Sequence, residues 1–156
     1  MKGIGKFLVI GMALLFMSGC EKQEELQVTK CTLKNDNISA KYSLNAEYSI
    51  YSKKDIVNTV EVKEKVISSS SAIIDYFEKY LTTLYSTSNN TYGGYNNKIV
   101  KENDELTSTT TINYEQMDLE KYVEDNPIIE NYVNDKNELT LEGVKSIYTS
   151  LGAICE

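Results

Sequence analysis

The chain of 156 residues contains no histidine, no arginine and no tryptophan, and only one proline. Without histidine there is no imidazole base or imidazole metal ligand, and no Ser-His or Cys-His nucleophile pair. Without arginine there is no planar fork for phosphate or carboxylate. All 16 basic residues are lysines, set against 23 acids, for a net charge of −7. That balance excludes nucleic acid as an expected partner, because cationic contacts to phosphate dominate such binding. A glycine-rich phosphate loop, a CxxC pair and an HExxH helix are also missing.

What is present starts at the N-terminus. Lys2 and Lys6 precede an apolar run from Phe7 to Met17, then the small pair Ser18 and Gly19, then Cys20. A basic start, a short apolar stretch and small residues are the layout of an export signal. The run falls well short of the roughly 20 residues a membrane-spanning helix needs. Met17-Ser18-Gly19-Cys20 resembles the bacterial lipobox, with Met17 where leucine is usual. The resemblance implies that residues 1–19 are a lipoprotein signal peptide and that the Cys20 thiol is acylated. The protein is then expected on the extracytoplasmic face of the cell membrane, held by lipid on Cys20. The plainer alternatives are a conventional signal with an incidental cysteine, or a buried helix. Cleavage removes two lysines and no acid, so an anionic lipid surface repels what remains. Attachment therefore rests on the acyl chains, and two of them suffice for stable anchoring. Residues 20–25 make a short polar tether, since the five residues Glu21 to Glu25 reach at most about 18 Å when extended. Residues 26–156 form a single domain.

With Cys20 assigned to lipid, Cys31 and Cys155 are an even pair. In an exported chain disulfides form and persist, so a bridge from the first strand to the C-terminal residues is expected. Two buried free thiols are the alternative.

Period-2 patterns dominate the first half. Leu26 to Leu33 reads as a strand, and Tyr42, Leu44, Ala46, Tyr48 and Ile50 alternate with polar residues in a second. Ile56 through Ile67 makes a third, with Val60, Val62 and Val66 on one face. Glu64 falls on that apolar face, which predicts a bulge, fraying or an edge there. After a serine run that supplies a cap, Ile73, Ile74, Phe77, Tyr80, Leu81 and Leu84 recur at helical spacing. Ser86 to Asn97 is poor in aliphatics and holds Gly93-Gly94, the composition of a loop. Lys98–Lys101 and Leu106–Tyr114 read as two more strands around an Asn103-Asp104 turn. Asp118 then caps a helix that ends at Asn126, Pro127 starts another, and Thr140 caps a last one stopped by Gly152. Strands first and helices segregated predict an α+β domain. The expected architecture is a mainly antiparallel sheet of about five strands packed against two to four helices.

With these elements placed, the chain resembles the YehR-like family of small bacterial lipoproteins. The resemblance is carried by the lipobox, by KCTLKNDNISAKYSLNAEYSIY and by the Tyr92-Gly93-Gly94 exit of the helix. It continues through TSTTTINYEQMDLEKY, with Asp118 and Leu119 opening the helical part, and NELTLEGVKSIYTSLGA. It implies one lipid-anchored α+β domain and supplies no catalytic residues.

Candidate chemistry is sparse. Asp135-Lys136-Asn137 starts like a calcium loop, but Leu139 and Thr140 occupy positions that need a ligand and a glycine. No metal and no cofactor is expected. Asp118 with Glu120, or Glu124 with Asp125, are adjacent carboxylates of the kind a chain with 23 acids produces by chance on a solvated face. Tyr42, Tyr48, Tyr76, Tyr80 and Tyr148 read as core and rim. Tyr92 and Tyr95, flanked by asparagines and glycines, form a candidate recognition loop, with a plain solubilising connection as the alternative. The expected function is a non-enzymatic surface lipoprotein, a binding or envelope-associated module meeting a protein, peptide or glycan. A small carboxylate-dependent hydrolase acting on cell-wall or external polymers is the alternative.

Overall fold

A computed structural model describes residues 25–37 and 39–156; residues 1–19, Cys20 and most of the tether lie outside them. The elements run β1 (Gln27–Asn37), β2 (Tyr42–Lys53), β3 (Ile56–Ile67), α1 (Ser71–Tyr92), β4 (Tyr95–Glu102) and β5 (Glu105–Asn113). They continue with α2 (Leu119–Asp125), a 3-10 helix (Pro127–Tyr132), α3 (Leu141–Ser150) and β6 (Ile154–Cys155). The strands make one sheet in the order β4-β5-β3-β2-β1-β6, antiparallel throughout. The sixth strand, beyond the five expected, is two residues long. It pairs Cys155 with Cys31 and Ile154 with Thr32, too short a segment to show alternation.

Register converts the alternation into two faces. Val60 pairs with Ile50 and Ile112, and Val62 pairs with Tyr48 and Thr110, so these side chains share the inner face beneath the helices. Ile50, Val60, Val66 and Leu106 are completely buried there. The opposite face carries exposed Lys30, Glu47, Glu61 and Lys63, as suits an antiparallel sheet with one wet side.

The inner face holds two apolar clusters. The larger centres on Tyr48, Ile50 and Val60 with Val144 and Tyr148 of α3 and Ile129 of the 3-10 helix. The smaller joins Val66 and Leu106 of the sheet to Ile74, Leu81 and Tyr85 of α1.

α1 departs from the sequence reading at both ends. Its cap residue Ser70 makes no side-chain cap bond; instead Ser68 Oγ accepts from the Ser70 N–H at 3.1 Å. At the other end the expected loop Ser86 to Asn97 is helix to Tyr92 and strand from Tyr95. The polar last turns are held from outside: the Asp118 N–H donates to the Tyr92 carbonyl at 2.7 Å, and Tyr92 packs edge-on to Tyr122 at 5.2 Å. Gly93 and Gly94 make the connection with φ of 71° and 76°. A Cβ on Gly94 would lie 2.5 Å from the Asn113 carbonyl oxygen, so only glycine fits that approach.

Candidate functional site

Glu64 lies in the middle of the inner face. It pairs with Ala46 on one side and Ser108 on the other, so β3 is neither frayed nor an edge here. The irregularity of β3 falls at the β2 junction Tyr51/Ser52 instead. What admits the carboxylate is a polar row. The Tyr85 hydroxyl donates to Glu64 Oε2 at 2.9 Å, and Ser108 also hydrogen-bonds it. Asn97 Nδ2 donates to Ser108 Oγ at 2.9 Å and to Thr110 Oγ1 at 2.8 Å. Ser108 and Thr110 are fully buried, and the row they form separates the two apolar clusters. A buried polar group is tolerated when it is hydrogen-bonded in this way.

Burial raises the Glu64 carboxyl above its ordinary range, and the bonds from Tyr85 and Ser108 only partly oppose that. Tyrosines surround it. Tyr48 stacks on Tyr148 at 4.0 Å, and burial with the Glu64 charge pushes Tyr48 up to about 12. Burial likewise raises Tyr85 and Tyr148, and half-buried Tyr114 hydrogen-bonds Tyr148. These phenols are therefore neutral donors at physiological pH. Glu64 faces hydroxyls rather than a second carboxylate, so it does not have the paired-acid geometry of a glycosidase.

The adjacent acids noted in the sequence serve local structure. Asp118 Oδ1 caps α2 by accepting from the Lys121 N–H at 3.1 Å. Asp125 pairs with Lys121 at 2.7 Å, which holds its carboxyl below the usual range. Exposed Glu120, Glu124, Glu130 and Asp135 do line an open depression of about 800 Å³ together with Lys136. Among the described residues no acid or cysteine group converges into a metal-holding cluster.

Cys31 and Cys155 are disulfide-bonded, with Cα atoms 3.9 Å apart and a sequence separation of 124. The bridge ties β6 to β1 inside the larger cluster. Cys20, the expected lipid site, lies outside the described residues.

Two pairs of tyrosines exchange places relative to the sequence reading. Tyr92 and Tyr95 are not on an exposed loop: both are half-buried, Tyr92 against Tyr122 and Tyr95 hydrogen-bonded to Tyr122 and packed against both clusters. Tyr76 and Tyr80, expected in the core or its rim, are 64% and 50% exposed, and Leu84 is 40% exposed. α1 turns Ile74, Phe77, Leu81 and Tyr85 to the sheet, so the four-residue row 76, 80, 84 comes round to the side. The Tyr76 and Tyr80 rings lie 6.2 Å apart and nearly parallel, at 9°. Two aromatic faces and a leucine in a row on a solvent-facing helix form the candidate recognition surface.

The combination of a six-stranded antiparallel sheet and helices on one face defines a small α+β domain of a kind already seen in bacterial proteins. The chain shares the fold of E. coli YehR, solved by NMR, at 14% identity and a TM-score of 0.57, covering 85% of this chain and 92% of that one. It is also similar to a Streptococcus pneumoniae protein solved by NMR, at 16% identity and a TM-score of 0.52, covering 99% of both chains. The likeness in both cases is one of fold. No family model matches the sequence, and no curated protein matches it.

Proposed function

We propose that the protein is a lipid-anchored extracytoplasmic module that binds a protein, peptide or glycan and performs no chemistry on it. Residues 1–19 act as its export signal, Cys20 takes the lipid, and the domain of residues 26–156 stands close to the membrane on its short tether. The observation that carries the binding role is the outward row Tyr76, Tyr80 and Leu84, because exposed aromatic surface in a line is what a binding face needs. The isolation of Glu64 among hydroxyls supports the non-enzymatic half of the reading.

The test places a photo-crosslinking phenylalanine at 76, 80 or 92 of the full chain in intact cells. Adducts from positions 76 and 80 and none from 92 are the expected result; adducts only from 92 would return recognition to the α1–β4 junction. Cys20→Ser should move the protein out of the membrane fraction, and membrane retention would remove the lipid anchor from the reading. The depression lined by Glu124 and Glu130 is where the hydrolase alternative would have to act. Polymer release by the purified protein, abolished by Glu124→Gln with Glu130→Gln, would favour that alternative.

A further inference from the structure

Along the inner face of β2, β3 and β5, register leaves one charged side chain, Glu64. Its sheet neighbours Ala46 and Ser108 and the tyrosines around it, Tyr48, Tyr85 and Tyr148, are buried, yet Glu64 itself is partly exposed. Strands flank it on both sides, so water reaches it from above the sheet, between Tyr85 of α1 and Tyr148 of α3. The Tyr85 hydroxyl at 2.9 Å and Ser108 both donate to the carboxylate, which fixes it in place and favours its charged form. Among the described residues no lysine pairs with it. A carboxylate this far out of water is normally matched by a cation.

The surface leading to it is apolar. Phe77 of α1 meets Tyr42 of β2 edge-on at 5.1 Å, so that flank of the helix is turned toward β2. Tyr80 and Leu84, three and seven residues on, share the flank and are exposed. Leu84 adjoins Tyr85 in sequence and therefore stands at the level of Glu64. Half-buried Leu33 and Leu44 lie on the inner face of β1 and β2 beside Ala46.

We propose that this opening takes a lysine or arginine side chain of a partner polypeptide, its cation on Glu64 and its apolar neighbours on Leu44, Tyr80 and Leu84. The cation supplies the charge that the domain's own lysines do not. With 23 acids against 16 lysines, the field of the whole chain also draws a basic segment in. The inference rests on the reading of the protein as a binding module, and it narrows the partner from protein, peptide or glycan to a polypeptide with a basic side chain among apolar ones.

The test titrates the full chain at pH 8 and low salt with a blocked tripeptide, leucine-lysine-leucine, and with its twin carrying norleucine in place of lysine, followed by amide chemical shifts. The lysine peptide should bind in the millimolar range and move Ala46, Glu64, Leu84 and Ser108, and the twin should bind at least about tenfold more weakly. Glu64→Gln should reduce the lysine peptide to the level of the twin. Leu84→Lys changes an exposed residue and sets a cation at the rim, so it should cut binding by a similar factor even if Glu64→Gln does not fold. Equal binding of the two peptides, no saturable shifts, or shifts centred on Glu124 and Glu130 instead would overturn the site. Crosslinks from positions 76 and 80 in cells without lysine selectivity in this titration would leave the binding module standing and remove its cation site.

Discussion

The two apolar clusters on either side of the Glu64 row are closed in different ways. The larger is roofed by α3 and the 3-10 helix, and its edge is fastened covalently by the Cys31–Cys155 bridge. The smaller is roofed by α1, through Ile74, Leu81 and Tyr85 over Val66 and Leu106. One half is thus held by packing plus a crosslink that constrains the unfolded chain, the other by packing plus polar contacts of α1, from Tyr85 to half-buried Glu64 and from Lys101 of β4 to Asp75 and Glu78. The half without the crosslink is the one that presents aromatic rings to solvent.

Removing the crosslink should have the largest effect. A loop closed over 124 residues gains roughly 4 to 5 kcal/mol in the chain-entropy model, and native bridges typically contribute about 2 to 5. Cys31→Ser with Cys155→Ser should therefore lower stability by about 4 kcal/mol, read as a fall in the urea midpoint. An unchanged midpoint would break the comparison, since the larger cluster would then owe nothing to covalent closure. Ile74→Ala should come next. Its side chain is fully buried under α1, and truncations of this kind cost about 2 to 5 kcal/mol. Its exchange signature should appear first in α1 rather than in β1 or β6.

Two carboxylates sharpen the contrast through pH. Burial raises Glu64, so its contribution to stability is present below the ordinary carboxyl pKa and is lost as pH rises through its folded value. Glu105, on the wet face of β5, is lowered by Lys65 at 2.7 Å. Its contribution is present above the ordinary value and is lost as pH falls through its folded pKa. Urea midpoints between pH 3 and pH 8 should show opposite changes. Glu64→Gln should flatten the gain on the acid side, and Glu105→Gln should flatten part of the acid-side loss. Equal profiles for the two variants would mean that Glu64 is solvated like a surface acid.

Much of this was legible in the sequence where side-chain period and turn chemistry agree. β3 runs from Ile56 to Ile67 as its alternation indicates. Asp118 and Thr140 cap α2 and α3 with their side chains, and Asn103 turns between β4 and β5 with φ of 50°. What failed depended on contacts between distant segments. The last turns of α1 have poor intrinsic propensity, and packing on Tyr122 with the Asp118 N–H bond keeps them helical. Glu64 was visible as an anomaly, but the row that accommodates it comes from three other elements, so no local pattern announces it. On α1, the rows through Tyr80 and Leu84 and through Leu81 and Tyr85 are both apolar. Periodicity alone leaves open which one meets the sheet.

That ambiguity frames the smallest stability effect expected. Tyr76→Ser with Tyr80→Ser removes rings that are mostly in water, so the urea midpoint should move by no more than about 0.5 kcal/mol. Tyr95→Ala, by contrast, opens a hole between both clusters and should cost about 2 kcal/mol. Binding should rank the variants in the reverse order, because rings that contribute little to folding are free to contribute to contact. In cells, the double variant should lose the crosslinks seen from a probe at position 84 while keeping its expression level, and Tyr95→Ala should keep those crosslinks in whatever fraction remains folded. If instead Tyr76→Ser with Tyr80→Ser destabilises the domain by as much as Tyr95→Ala, the two rings belong to the fold, and the exposed row on α1 loses its claim to be a surface kept for a partner.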